Sequence, residues 1–184
     1  MTAASPPLVN FGWRAPDFHL ADTRGKVWSL STLRGPKGLV LVFICNHCPY
    51  VLAVVDKIVR EGRALHGLGF GMAAICSNDA AASPEDGFDK MGAFARQHHL
   101  PFPYLHDVKQ TVARAYDAAC TPEFFGFNSE LKLQYRGRLD DSGRDARPAA
   151  RRELYEAMRQ VAETGQGPRE QVQAIGCSIK WKAA

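Results

Sequence analysis

Two cysteines, Cys45 and Cys48, stand three positions apart where an apolar segment gives way to a helical pattern. The apolar segment, residues 39–44, shows no polar alternation, which is typical of a strand buried on both faces. From Pro49 onward, apolar residues recur at helical spacing. We therefore expect Cys48 in the first turn of a helix and Cys45 just before it.

This placement can make a thiol reactive. A cysteine at a helix N-terminus lies near free N–H groups and the positive end of the helix dipole, so its thiolate form is favoured. Because Cys45 precedes the helix, we expect it to be the more exposed thiol and the nucleophile, with Cys48 resolving the mixed disulfide. Asn46 and His47 lie between them. A protonated His47 would stabilise the Cys45 thiolate and make the couple more oxidising than thioredoxin.

Other chemistries use the same residue types. The two cysteines could be buried packing residues, or they could bind a metal. A structural zinc site usually takes four ligands in two spaced pairs, and the sequence has neither a second C-x-x-C motif nor a suitable pair of histidines. Two thiolates with His47 would also suit Cu(I), so a copper-binding chaperone stays an alternative of a different class. We predict no resident metal and no cofactor.

Composition narrows the class of protein. The chain has 184 residues, of which 46% are hydrophobic and 23% charged, as in an ordinary soluble globular domain. A net charge of +4 is too small to indicate a nucleic-acid partner. No signal peptide is visible, and the longest apolar run is too short to span a bilayer. We therefore expect a cytoplasmic protein without nucleic-acid or membrane partners, whose five cysteines stay reduced unless they cycle.

The elements around the motif predict an α/β fold. Strands and helices alternate through the middle of the chain, which favours a sheet with helices on both faces. A hairpin with its turn near Gly25 is predicted before them. After the motif helix we expect a buried strand, a helix capped by Ser83, a short strand, a helix over 111–119, a hairpin joined at 128–130 and a helix over 147–164. Strand ends at one sheet edge would gather Cys45, Cys48, Asn78 and Asp79.

Five segments together carry a family resemblance: "APDFHLADTRGKVWSLS", "CNHCPYV", "CTPEFF", "YRGRLDD" and "GCSIKW". In this order they resemble the thioredoxin fold, and more narrowly the peroxiredoxin-like branch of the alkyl hydroperoxide reductase/thiol-specific antioxidant superfamily. The resemblance implies a central mixed sheet with helices on both faces, an N-terminal hairpin and an inserted helix and strand. It also implies a tail over 1–12, a thioredoxin-like domain over 13–165 and a C-terminal extension over 166–184 that packs on the domain.

The resemblance also implies roles for Thr121 and Pro122. They fill the place of the cis-proline turn that faces the C-x-x-C motif, where the backbone can hydrogen-bond to a substrate strand. The strand before Cys45 lacks the buried acid of thioredoxins, so proton transfer must use another group or water. The peroxide-binding loop of peroxiredoxins is also absent, although Cys48–Pro49 is similar to their peroxidatic Cys-Pro. A thiol peroxidase therefore stays an alternative to a thiol–disulfide oxidoreductase.

Two further cysteines are candidates for a third redox thiol. Cys120 stands two residues before Pro122, and Cys177 lies in the closing segment. Either could instead be a small buried packing residue, since free cysteine is among the most buried residue types. Exchange with the motif would require Cα atoms within about 7 Å. The expected partners are protein thiols or disulfides, or a small thiol reductant, and the expected assembly is a monomer or a homodimer.

Overall fold

A computed structural model of the chain describes residues 3–4, 11–145 and 147–183. The strands are β1 (Ala3–Ala4), β2 (Leu20–Ala21), β3 (Val27–Trp28), β4 (Gly38–Phe43), β5 (Phe70–Cys76), β6 (Tyr104–His106), β7 (Cys120–Thr121), β8 (Glu123–Asn128), β9 (Leu133–Gly137) and β10 (Gly176–Ser178). The helices are α1 (Leu30–Leu33), α2 (Pro49–Gly67), α3 (Phe88–Gln97), α4 (Thr111–Ala115) and α5 (Glu153–Thr164). Short 3-10 turns lie at Pro84–Asp86 and Gly143–Asp145.

The central sheet is mixed and has the order β6-β5-β4-β8-β9. β5 and β6 are parallel, whereas β4 pairs antiparallel with β8 and β8 pairs antiparallel with β9. β4 lies beside β5, where the Ile44 amide donates to the Ile75 carbonyl at 3.0 Å. The predicted α/β architecture with a central mixed sheet is therefore confirmed.

The strand before the motif is buried on both faces, as predicted. Every residue of β4 is buried, and its side chains alternate between two hydrophobic clusters. One cluster contains Leu39, Leu41 and Phe43, and the other contains Val40, Val42 and Ile44. Because β4 packs on both sides, it holds the start of the cysteine motif at a defined position.

The helix after the motif begins at Pro49, with Cys48 as its N-cap residue. Proline suits the first helical position because its missing N–H would have no intrahelical partner there. An apolar stripe that includes Val51, Val55 and Ile58 is buried against the sheet. The sequence pattern therefore predicted both the start and the buried face of α2 correctly.

Both predicted hairpins are present, since β2 pairs with β3 and β8 pairs with β9. Three predicted helices are shorter than expected: α3 begins at Phe88, α4 ends at Ala115, and α5 begins at Glu153. α3 starts late because a 3-10 turn forms where the helix was predicted to begin. The Ser83 side chain makes no capping hydrogen bond, and the next three residues form a 3-10 turn that directs Asp86 into the protein, where it is fully buried.

The C-terminal strand β10 lies between β1 and β7 and is antiparallel to both. Ala3 and Ala4, which belong to the predicted tail, therefore pair with β10, while residues 1–2 and 5–10 lie outside the described residues. The segment after residue 166 packs on the rest of the chain through β10, and the predicted division at 12 and 165 stays a prediction. In the described parts of the chain, no helix has the length and apolar character needed to cross a membrane.

Candidate active site

The two motif thiols lie together between β4 and α2. Both residues are buried, with 1% of Cys45 and none of Cys48 exposed, and the two thiols are close enough for each to shift the pKa of the other. Cys45 was expected to be the more exposed of the two thiols, but the two differ by only 1% in exposure. Asn46 binds the 3-10 turn after β5: its side chain donates to the Glu85 carbonyl at 2.8 Å, and its backbone amide donates to Asp86 at 2.7 Å. This contact packs the turn against the motif.

Thr121 and Pro122 face both thiols. Their peptide bond is cis, as the family resemblance implied. Thr121 Oγ1 lies 3.5 Å from Cys45 Sγ, and the Thr121 carbonyl oxygen lies 3.2 Å from Cys48 Sγ. The turn therefore lies opposite both motif thiols.

Electrostatics distinguish the two thiols. A hydrogen bond from Cys45 holds the pKa of Cys48 well below its usual value, although burial acts in the opposite direction. Three further groups also lower the pKa of Cys48: the Cys177 side chain, the Thr121 side chain and the Val51 amide. The same hydrogen bond raises the pKa of Cys45, together with burial and the charge of Asp86. The pKa is therefore lowered at Cys48, which occupies the N-cap position of α2, and raised at Cys45, where the sequence predicted the thiolate.

Asp86 is a completely buried acid that lies beside the motif. One carboxylate oxygen accepts the Asn46 amide, and the other accepts Asn78 Nδ2 at 2.8 Å and lies 2.9 Å from His47 Nδ1. Sequence reasoning placed Asp86 in the first turn of α3 and so missed this role. The only signal was the Ser-Pro-Glu-Asp run itself, which is typical of a helix start and of a tight turn alike.

Three side chains could hold a metal ion. The donor atoms of Cys45, His47 and Asp86 all lie within 4.8 Å of one another. A thiolate, an imidazole and a carboxylate form a mixed donor set that suits Zn²⁺ better than Cu(I), which prefers soft sulfur ligands. Since the cluster includes only one of the two motif thiols, it differs from the set of two thiolates and a histidine on which the copper alternative depends.

The two candidate third thiols differ in position. Cys177 Sγ lies 2.8 Å from Cys48 Sγ, whereas no hydrogen bond in the described part of the chain joins Cys120 Sγ to either motif thiol. Burial raises the pKa of Cys120 and also raises that of Cys177 to about 12. The structure therefore brings Cys177 into the site and leaves Cys120 as a buried neighbour.

Asn78 and Asp79 follow the end of β5, as the sequence predicted. Asn78 binds Asp86 through its amide nitrogen and accepts the Lys180 amide at 2.9 Å. The Asp79 amide donates to the Lys180 carbonyl at 2.8 Å. The end of β5 thus connects the buried acid with the segment that follows Cys177.

A buried ion pair supports the cis-proline turn from the other side. The Glu123 carboxylate accepts the amides of Ala119 and Cys120 and binds Arg136 Nε at 2.7 Å. Its side chain is completely buried. Sequence reasoning missed this pair, because nothing in an apolar strand pattern shows which partner a lone Glu will meet.

The fold and the site define a thioredoxin-like protein with a thiol pair at the start of a helix, opposite a cis-proline. Solved disulfide oxidoreductases with 22% identity or less share this topology, which supports the fold alone. The chain belongs to the AhpC/TSA family, whose model matches residues 11–136.

The chain is also similar to three individual proteins. The thiol-disulfide oxidoreductase ResA of Bacillus subtilis is 28% identical over 71% of this chain and 68% of its own length. The structure of an uncharacterized conserved protein from Geobacillus kaustophilus is 41% identical, with a TM-score of 0.94 over 100% of this chain and 98% of that one. A hypothetical protein from Sinorhizobium meliloti is 35% identical, with a TM-score of 0.91 over 98% and 99% of the two chains.

Proposed function

We propose that this protein is a thiol–disulfide oxidoreductase in which Cys45 and Cys48 alternate between a dithiol and a disulfide. The observation that carries the proposal is the arrangement of the two thiols, which lie at the start of α2 and both contact Thr121 beside the cis-proline. Family membership and the similarity to a named thiol-disulfide oxidoreductase support the same activity.

The electrostatics favour Cys48 as the attacking thiolate, which reverses the roles expected from the sequence. The Cys48 thiolate attacks one sulfur of a substrate disulfide, so that a mixed disulfide forms and the other substrate thiolate leaves. The Cys45 thiol then gives up its proton and attacks Cys48 Sγ. The Cys45–Cys48 bond forms, and the second substrate sulfur leaves with that proton. A thiol reductant returns the pair to the dithiol form.

Burial limits the partners that can reach these sulfurs. The partly exposed residues around the motif are Asn46, His47, Pro49 and Tyr50, so a partner must approach through them. Two kinds of partner can approach the buried sulfurs in this way: a small thiol, or an extended protein segment that carries a cysteine. A disulfide inside a rigid domain is less suitable. We therefore propose protein thiols or disulfides, or a small thiol reductant, as partners of a cytoplasmic monomer or homodimer.

The test is catalysed reduction of a protein disulfide, for example that of insulin, by dithiothreitol. The wild-type protein should accelerate the reaction, Cys48→Ser should abolish the acceleration, and Cys120→Ser should match the wild type. A wild-type rate no higher than that of dithiothreitol alone would contradict the proposed activity. A stable mixed disulfide on Cys45 in the Cys48→Ser variant would show that Cys45 is the nucleophile.

Thiol peroxidase activity is a second candidate, favoured by the buried, low-pKa thiol of Cys48. A hydroperoxide is small enough to reach a buried thiol. The Cys48 thiolate would attack the peroxide and become a sulfenic acid as an alcohol or water leaves, and a neighbouring thiol would then form a disulfide and release water. Stopped-flow rates with hydrogen peroxide well above that of free cysteine would support this activity, and equal rates would exclude it.

A further inference from the structure

The edge of the cis-proline turn is already occupied by the chain's own C-terminal strand. β10 pairs antiparallel with β7, and Cys177 stands directly opposite Thr121 in the register. The sequence predicted that this backbone would hydrogen-bond to a substrate strand, as extended peptides add to exposed sheet edges elsewhere. In this structure residues 176–178 take the place of such a strand, and their central residue is a cysteine.

The cysteine of this strand meets the motif directly. Cys177 Sγ lies 2.8 Å from Cys48 Sγ, and both residues are buried. A disulfide bond is about 2.05 Å long, so a bond between these sulfurs requires a shift of less than about 1 Å. Cys48 therefore has a thiol neighbour from its own motif, Cys45, and a second one from the C-terminal strand.

The strand is held close by its surroundings. A Cβ atom on Gly176 would lie 2.0 Å from the Thr121 carbonyl oxygen, so only glycine allows the two backbones to approach this closely. Beyond Cys177, the Lys180 amide donates to Asn78, and buried Gln110 donates to the Lys180 carbonyl at 2.8 Å. These contacts on both sides of Cys177 place its sulfur at Cys48 in a defined geometry.

We propose that Cys177 is a third redox thiol, which β10 presents to Cys48 in the manner of a bound substrate strand and which forms a Cys48–Cys177 disulfide. This inference rests on the proposed thiol–disulfide activity. In the exchange, the Cys177 thiol loses its proton and attacks Cys48 Sγ of a mixed disulfide with an outside thiol. The Cys48–Cys177 bond forms, the mixed disulfide breaks, and the outside thiolate leaves and takes the proton. Oxidised glutathione can supply the mixed disulfide.

The test uses the full-length Cys45→Ser variant, in which Cys45 can no longer resolve a mixed disulfide. After incubation with oxidised glutathione, this variant should release the glutathione and show a Cys48–Cys177 linkage on peptide mapping. Cys45→Ser/Cys177→Ser should keep glutathione on Cys48, and Cys45→Ser/Cys120→Ser should behave like Cys45→Ser. Cys45→Ala serves as a second background, and circular dichroism checks that each variant is folded.

The outcomes separate this inference from the proposed function. If Cys45→Ser keeps glutathione on Cys48 as long as Cys45→Ser/Cys177→Ser does, Cys177 is a packing residue and the proposed function is unaffected. If glutathione modifies Cys48 in none of the folded variants and the wild-type protein has no reductase activity, the proposed function fails, and the third-thiol role fails with it.

Discussion

His47 Nδ1 lies 2.9 Å from a carboxylate oxygen of Asp86, a residue that is completely buried beside the cysteine motif. The same carboxylate accepts the Asn46 amide, so Asp86 contacts both residues between the two cysteines. A buried carboxylate at this position affects the site in two ways. It fixes the backbone between the thiols, and its negative charge opposes ionisation of Cys45.

Replacing Asp86 with Asn should lower the pKa of Cys45. The pKa of Cys45 is raised by its hydrogen bond with Cys48, by burial and by the charge of Asp86, and the variant removes the third effect. The Cys45 thiolate should therefore form at lower pH, and alkylation of Cys45, followed by mass spectrometry across a pH series, should extend to lower pH. Asp89→Asn, which changes an exposed acid at the start of α3, is the control. Identical Cys45 profiles in both variants would show that Asp86 has no electrostatic role.

Replacing Cys45 with Ala should raise the pKa of Cys48. The hydrogen bond from Cys45 is the largest cause of the low Cys48 pKa, and alanine cannot donate one. In a pH titration of thiolate ultraviolet absorbance, the first thiolate should appear at higher pH than in the reduced wild-type protein. Cys45→Ser keeps a hydroxyl donor, so its titration should lie between the two. The explanation fails if alanine and serine at position 45 leave the first titration step where it is in the wild type.

The couple should be more oxidising than thioredoxin. Stabilisation of the Cys48 thiolate favours the reduced form, and a protonated His47 beside the motif would act in the same direction. A glutathione redox titration should therefore give a potential above about −270 mV, the value typical of thioredoxin. His47→Ala should lower the potential, whereas His66→Ala, on the exposed end of α2, should not. A wild-type potential at or below the thioredoxin value would contradict this expectation.

The sequence predicted the parts of this site that depend on local pattern. The buried strand, the start of α2 at Pro49 and the cis turn at Thr121–Pro122 follow from apolar periodicity, proline chemistry and family resemblance. It could not predict that Asp86 turns inward, because an acid after Ser-Pro suits an exposed helix start equally well. Nor could it predict which cysteine approaches the motif. That choice depends on the pairing of β10 with β7, a long-range contact that leaves no periodic signal.

Loss of the Glu123 charge should destabilise the protein strongly. Glu123→Ala would remove the buried carboxylate beside Arg136, which would keep its contacts with exposed Asp117, and would leave the Ala119 and Cys120 amides without their acceptor. Breaking a buried ion pair by removing one partner costs about 3–5 kcal/mol of unfolding free energy. Urea denaturation should show this loss, with a smaller one for Glu123→Gln, which keeps an oxygen acceptor. Glu130→Ala, which breaks the exposed pair with Lys132, should unfold like the wild type. Equal midpoints for the Glu123 and Glu130 variants would contradict a structural role for the buried pair.

Replacing Gly176 with Ala should separate the C-terminal strand from the cysteine motif. The new Cβ would lie 2.0 Å from the Thr121 carbonyl oxygen, a distance that neither backbone can tolerate, so β10 must move away from β7. Cys177 Sγ would then leave Cys48 Sγ, and Cys48 would lose the strand that covers it. Alkylation of Cys48 in the reduced protein should become several-fold faster than in the wild type. Gly67→Ala is the matched control, because a Cβ there meets no atom within 4 Å. If the Gly176 variant is folded and its Cys48 reacts at the wild-type rate, β10 does not control access to the site.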